Sequence, residues 1–360
     1  MKHGNLVSQM TLEEKCALLA GKDVWHTRDI PRLNIPAITL SDGPSGLRKQ
    51  AGEGDHLGLN ASTKATCIPS AATLACSWDA AVSEAMGAVV GRDAANQKVD
   101  VLLAPGLNTK RSSLCGRSFE YYSEDPYLSG KLAAGFIRGA QKQGVSACAK
   151  HYAANAQELL RMHSDSVMDE RTLREMYLTN FEIAIKEGKP GFVMTAYNRV
   201  NGVYANESRH LLGDILRGEW GFDGAVVTDW GGSNSIVEGV REGMNLEMPA
   251  AGDDSPCQLV KAVKDGTIDE KIVDERVDQL LDFVLAEHKS SGESSFDAAK
   301  QHQAAEAAAE KCLVLLKNDE HLLPLKKDAR VAVIGEFAAR SRYQGAGSSM
   351  VNAAQVDDTL

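Results

Sequence analysis

The chain has 360 residues, 43% of them hydrophobic and 24% charged, with a formal net charge of −10. At about 100–200 residues per domain there is room for two domains, or for one barrel and an appendage, around a sizeable core. The negative balance argues against nucleic acid or an anionic membrane as partner, since neither offers positive charge to bind, and it suits a neutral ligand.

Residues Met1 to Lys15 hold no apolar stretch of signal-peptide length, and no run of 18 apolar residues occurs anywhere, so a cytoplasmic location without a membrane span is expected. The cysteines Cys16, Cys67, Cys76, Cys115, Cys148, Cys257 and Cys312 are scattered, and no two form a C-x-x-C pair. Such a set fits free thiols in a reducing compartment.

In chain order, the apolar runs 36–41, 99–104, 145–150, 192–196, 225–228 and 245–248 predict strands. Helical periodicity marks 80–96, 129–143, 171–186 and 211–220 between them. Six or more such βα units over roughly 250 residues point to a parallel, TIM-like barrel in preference to an open sheet. Thr267 and Glu270 have the spacing of a capping box, and Val273, Val277, Leu280, Leu281 and Val284 continue that helix to about Lys289. The polar run beginning at Ser290 reads as a linker over 290–296. The expected division is therefore 1–289 for the barrel and 297–360 for a second, incomplete unit. That unit would open with an alanine-rich helix over 297–311, followed by strands at 313–316 and 331–334. It is too short for a complete α/β domain.

Catalytic groups of a barrel sit where strands end and loops begin. The strand ends carry Asp42 and Arg48, then Lys150 and His151, then Tyr197 and Asn198, then Asp229 and Trp230. Each has a plain reading on its own. Asp42 before Gly-Pro can start a turn, Lys150-His151 can be surface, and Asp229 before Gly231 and Gly232 can cap a helix. Four such groups on successive strand ends favour a shared site. Carboxylates, Lys, Arg and His bind hydroxyls, and Trp230 offers a flat apolar face for a sugar ring. Glycoside hydrolysis needs two carboxyl groups, one to attack and one to protonate the leaving oxygen. Arg117, Lys150 and His151 would keep a nearby carboxylate ionised, as a nucleophile requires.

These residues lie in ordered blocks. They run from Gln9–Lys15 and Ser41–Arg48 through Ala104–Asn108, Gly116–Pro126, Lys150–Asn155 and Asp169–Glu175. They continue with Met194–Asn198, Val227–Trp230, Leu315–Asn318 and Leu322–Leu325. With them the chain resembles glycoside hydrolase family 3, in its β-glucosidase-like branch. The resemblance implies a (β/α)8 barrel, or a collapsed variant of it, followed by the start of an α/β sandwich. It implies that Asp229 is the nucleophile of a retaining β-glycosidase. Asp42, Arg48, Arg117, Lys150, His151 and Arg161 would then bind the terminal sugar. Tyr197 would tune the nucleophile, and Met194 and Trp230 would wall the pocket. No metal or organic cofactor is implied.

Two departures accompany it. The family branch that cleaves N-acetylglucosaminides carries an acid/base histidine loop after the Lys-His pair. Here Tyr152-Ala-Ala-Asn155 follows instead, and His163 with Asp165 reads as a polar pair at the rim. The β-glucosidase branch takes its acid/base glutamate from the second domain, beyond the matching part of this chain. Glu293, Glu320 and Glu336 are present but stand in no matching block. The expected partners are a β-glycoside, with β-glucose favoured and β-xylose open, and a second chain or further C-terminal portion that covers the apolar strands of 297–360. Homo-oligomerisation stays open. So do two other readings: Schiff-base chemistry at Lys150, and an acid-deficient sugar-binding half of a split enzyme.

Overall fold

The computed structural model describes residues 1–52, 54–55, 60–286 and 297–360. Its centre is a parallel sheet of five strands in chain order: β1 (Leu40–Asp42), β2 (Val101–Leu103), β3 (Ser146–Tyr152), β4 (Phe192–Thr195) and β5 (Ala225–Thr228). Four of them match the bounds of the apolar runs that predict them within two residues, and β1 starts four residues later than its run, 36–41.

The sheet curls and closes through shorter backbone pairings. The sixth apolar run forms bridges instead of a full strand, Leu246 to Val227 and Glu247 to Ala20, both parallel. Asn245 registers this run, because its Oδ1 accepts from the Val226 N–H at 2.8 Å and from Arg217 at 2.7 Å. The Gly21 N–H then donates to the Glu247 carbonyl at 3.0 Å, and Lys22 N–H to the His26 carbonyl at 2.8 Å. Finally the Leu40 N–H donates to the Trp25 carbonyl at 2.8 Å, which returns the ladder to β1. The result is a collapsed (β/α) barrel: five regular strands, completed by an irregular segment at 245–248 and the 19–27 hairpin.

Alternation along the strands sorts the core into two layers. Leu40, Val101, Leu103, Cys148, Phe192, Met194 and Val227 share the interior cluster with Leu18, Leu246, Leu280 and Leu281. Leu102, Ala147, Ala149, Val193 and Val226 face the other way, against the surrounding helices. Each large side chain so buried contributes about 1.5–3 kcal/mol. The outer layer is tight where helix α1 (Ala80–Asn96) crosses helix α2 (Pro126–Gln141). A Cβ on Gly87 would collide with the Phe136 carbonyl, and one on Gly139 with the Glu84 carbonyl, so only glycine permits this approach.

The remaining helices differ from expectation in detail. Glu170–Gly188 is one helical run in which wide π turns at Leu173–Leu178 and Ala184–Gly188 flank an α segment, and Arg209–Glu219 is also wide-turned. Helix α3 (Glu270–Val284) starts on Asp269, whose carboxylate accepts from the Lys271 N–H at 3.0 Å. The expected capping box is thus corrected. The Thr267 hydroxyl turns back to Asp265, and Glu270 reaches Lys15 at 2.9 Å. The capping box that does form joins Thr11 and Glu14, at the start of Leu12–Leu18. The expected linker at 290–296, Glu293 and the helix end near Lys289 lie outside the described residues.

Helix α4 (Ala298–Glu310) packs on α1 through Gln301, which donates to Asp93 and accepts from Arg92 at 2.9 Å. Beyond it the expected strands at 313–316 and 331–334 do not form. Leu313 is 82%, Leu316 91% and Ile334 91% exposed. A strand needs a hydrogen-bonded neighbour, and the described residues offer these two none. The chain returns to the barrel only at 344–354, where Asn352–Ala353 pairs in parallel with Lys64–Ala65. All seven cysteines are free thiols.

Asp93 carries a pH test. Burial pushes its carboxyl up to about 6, against the opposing hydrogen bonds from Thr66 and Gln301. The folded value lies above the unfolded one of about 4, so the folded state holds the proton more tightly. The stabilisation is complete below about pH 4 and is lost as pH rises through about 6. Asp93→Asn abolishes the dependence. In urea unfolding the wild type should lose on the order of 2 kcal/mol relative to Asp93→Asn between about pH 4 and pH 7. A difference that does not vary with pH would contradict this.

Candidate active site

Strand alternation decides which polar side chains enter the barrel mouth. Residues i and i+2 share a face. The interior residues Leu40, Cys148, Phe192 and Val227 are therefore followed by Asp42, Lys150, Met194 and Asp229 on the same face, one step nearer the C-terminal end. All four line one cavity of ≈ 380 Å³. Arg117, His151, Arg161, Tyr197 and Trp230 line it with them. Of the ten residues singled out from the sequence, Arg48 alone does not. It sits behind Asp42, its Nε 3.8 Å from an Asp42 oxygen, and donates to the Gly347 carbonyl at 2.9 Å.

Asp229 lies at the end of β5. Its Oδ1 accepts from the Trp230 N–H at 2.8 Å, while its buried Oδ2 has no hydrogen-bond partner. The cap reading fails, because the next helix, Ile236–Glu242, is capped by Ser235. Burial pushes the Asp229 carboxyl above the usual carboxylate range, and Arg117, Lys150, the Trp230 N–H and Arg161 pull against it. The Tyr197 hydroxyl donates to the Trp230 carbonyl at 2.9 Å. Burial and the neighbouring Asp229 raise it further from ionisation, so it stays protonated beside the carboxylate.

His151 corrects one expectation. Burial, then Arg117, Lys150 and Arg161, hold its pKa well below the ordinary histidine value, so it is neutral and adds no cation. Its Nε2 lies 3.0 Å from the Arg117 NH2 group and 3.5 Å from Asp229 Oδ2. Its Nδ1 faces Tyr121 Oη at 3.1 Å and Asn108 Oδ1 at 3.3 Å. The cations at the cavity are Arg117, Lys150 and Arg161, against the carboxylates Asp42, Glu158 and Asp229. Such a balanced ring suits a neutral, hydroxyl-rich ligand. The Lys150 ammonium donates to Asp42 at 3.3 Å, an arrangement for hydrogen bonding and not for a free nucleophilic amine.

Several lining or supporting residues escape the sequence. Trp25 stacks obliquely on Trp230 with ring centroids 5.2 Å apart, and the Trp230 indole N–H is anchored to the Val24 carbonyl at 2.7 Å. Glu158 takes Arg161 at 3.0 Å, and the Arg161 guanidinium lies 4.5 Å over the Tyr197 ring. Phe119 and the segment 346–348 complete the wall. Asn108, Glu120 and Tyr121 stand within blocks that the sequence marks, but only their contacts reveal what they hold. His163 is exposed, Glu320 and Glu336 are exposed, and none of them lines the cavity.

The glycosyl hydrolase family 3 N terminal domain matches residues 32–283, and the family's C-terminal domain matches residues 313–360. A thermostable beta-glucosidase B of Acetivibrio thermocellus is 48% identical over 98% of this chain and 47% of its own length. An exo-alpha-(1->6)-L-arabinopyranosidase of Bifidobacterium longum is 40% identical over 98% of the chain and 48% of its own. Among solved structures, beta-glucosidase 3B of Thermotoga neapolitana in complex with alpha-D-glucose is 36% identical, with a TM-score of 0.89. It covers 98% of this chain, which in turn covers 52% of that one. The chain thus spans about half the length of the relatives it matches.

The electrostatics of Asp229 can be measured directly. Carbon NMR of labelled aspartate should place its pKa above the ordinary value of about 4. Arg117→Gln removes the strongest opposing cation, so the pKa should rise further, and Arg117→Lys should restore part of the difference. A value that falls in Arg117→Gln would overturn the assignment.

Proposed function

The chain belongs to glycosyl hydrolase family 3, and on that footing we propose that it bears the nucleophile of a retaining, exo-acting β-glycosidase. The observation that carries this reading is Asp229 Oδ2: buried, without a hydrogen-bond partner, and open to a cavity lined by Arg117, Lys150 and His151. The cavity is at the small end of ligand sites, which suits one terminal sugar unit. Glucose is the sugar bound to the similar Thermotoga neapolitana enzyme, which favours a β-D-glucosyl group here.

In this reading the sugar lies on Trp230, with its hydroxyls held by Asp42, Lys150, Arg117 and Arg161. Asp229 Oδ2 attacks the anomeric carbon as the bond to the leaving oxygen breaks, giving a covalent glycosyl-enzyme. The Trp230 N–H holds the carboxylate in place while it loses its charge, and Tyr197 steadies Trp230 through its carbonyl. A second carboxyl protonates the leaving oxygen and then activates water. It should lie about 5–5.5 Å from Asp229. Glu158 lines the cavity but is engaged by Arg161 and by Asn155 at 3.4 Å, as an anchor of Arg161. Asp42, tied to Lys150 at 3.3 Å, and Glu158 are therefore read as binding residues, and the second carboxyl is assigned to no described residue.

An activated leaving group needs little protonation and isolates the nucleophilic half-reaction. With 2,4-dinitrophenyl β-D-glucoside the chain should release a burst of dinitrophenol. Asp229→Asn should slow that burst by roughly 10³-fold or more. A burst of normal rate in the variant would exclude Asp229. The matching β-xyloside, run in parallel, ranks the two sugars by kcat/KM.

A further inference from the structure

Residues 344–354 are the part of the C-terminal region that comes back to the barrel, and they meet it at a buried carboxylate. Glu120 is 1% exposed. Its Oε1 accepts from Arg117 Nε, and its Oε2 accepts from the hydroxyls of Ser348, at 3.2 Å, and Ser349. Ser349 is fully buried, while Ala346, Gly347 and Ser348 line the cavity. Arg117 in turn reaches His151 Nε2 at 3.0 Å and Ser348 Oγ at 3.4 Å. One side chain therefore touches both the guanidinium that faces Asp229 and the loop that completes the wall.

We propose that Glu120 is a positioning residue that joins Arg117 to the 346–349 segment and holds both in register around the cavity. Two features support it beyond the contacts themselves. First, Glu120 is the segment's charged anchor at the cavity. The residues before it are largely exposed, and its other ties are the Arg48 bond to the Gly347 carbonyl, the Val351 N–H to Gln344 at 2.7 Å, the buried Val351 side chain, the Asn352 side chain to the Ser62 carbonyl at 2.7 Å, and the short pairing at Asn352–Ala353. Second, Glu120 is a charged acceptor. Burial is the largest influence and pushes its carboxyl up, but Arg117, Lys150 and Ser349 together hold it below the usual range. Hydrogen bonds to an ionised group are the strong ones. A glutamine has the same shape but one acceptor oxygen. It must give that oxygen either to Arg117 or to the serines, and it presents its NH2 group to the other.

The test uses the full chain as wild type, Glu120→Gln, Ser348→Ala/Ser349→Ala and the triple variant. Amide exchange at Val351 and Ala354 should accelerate about tenfold or more in Glu120→Gln, with exchange in β3 and β4 unchanged. The double serine variant should show the same local acceleration. The triple variant should go no further than Glu120→Gln, because both sets of changes break one linkage. Titration with D-glucose, read by tryptophan fluorescence, should weaken together in Glu120→Gln and in the double serine variant. Exchange at 351 and 354 that matches the wild type, or additive effects in the triple variant, would overturn the role. So would unchanged glucose affinity in the serine variant, which would leave Arg117 as the sole route. The sugar readout rests on the glycosidase reading. A wild type that binds no glucose counts against that reading, and the exchange comparison still decides Glu120. If Glu120→Gln shows no cooperative melt, the serine variant, which removes two hydroxyls alone, decides the result.

Discussion

A buried carboxylate with a free oxygen is expensive, and the structure around Asp229 is organised by that cost. Taking a carboxylate out of water costs several kcal/mol unless cations and donors replace the solvent. Arg117, Lys150, Arg161 and the Trp230 N–H supply them, yet burial still holds the carboxyl above its usual range. The cations bring the same difficulty with them. Lys150 is 1% exposed and is answered by Asp42, Arg117 by Glu120, and Arg161 by Glu158. His151 is squeezed among them and is neutral. Each charge is tolerable only because the next one is present.

The barrel makes such a cluster possible. Parallel strands deliver interior side chains in layers, and the layer beyond Leu40, Cys148, Phe192 and Val227 is the polar one. Below it the inward side chains of the strands, Leu40, Val101, Cys148, Phe192 and Val227, are apolar, so the charges stay at the mouth. Above it, loops and the 346–348 segment narrow the mouth. Closure through 245–248 and the 19–27 hairpin places Trp25 against Trp230, so the irregular side of the barrel supplies the aromatic wall.

Much of this is legible in the sequence, for physical reasons. Strands buried on both faces read as short apolar runs, and five of the six predicted runs are regular strands. Their ends supply six of the nine singled-out residues that line the cavity, Asp42, Lys150, His151, Tyr197, Asp229 and Trp230, and the family resemblance supplies Arg117, Arg161 and Met194. Arg48 escapes because its position behind Asp42 depends on the turn through Gly46 and on Gly347, nearly 300 residues away in the chain. Trp25, Glu158 and Ser348 escape because loops carry no periodicity to place them. The strands expected at 313–316 and 331–334 show the limit most directly. Their apolar pattern is real, but a strand is a pairing, and sequence pattern cannot supply the neighbour. The capping box at Thr267 fails for a local reason: Asp269, two residues on, is a better cap, and the Thr267 hydroxyl satisfies Asp265 instead.

The central claim is that Asp229 attacks carbon. A 2-deoxy-2-fluoro-β-D-glucoside with a dinitrophenolate leaving group tests it most directly, since the fluorine slows both half-reactions and the leaving group spares the first, so the covalent intermediate accumulates. Peptide mass spectrometry after such treatment should find one fluoroglucosyl group, attached to Asp229. Attachment to Asp42 or Glu158, or a chain that stays unlabelled while it binds glucose, would contradict the account.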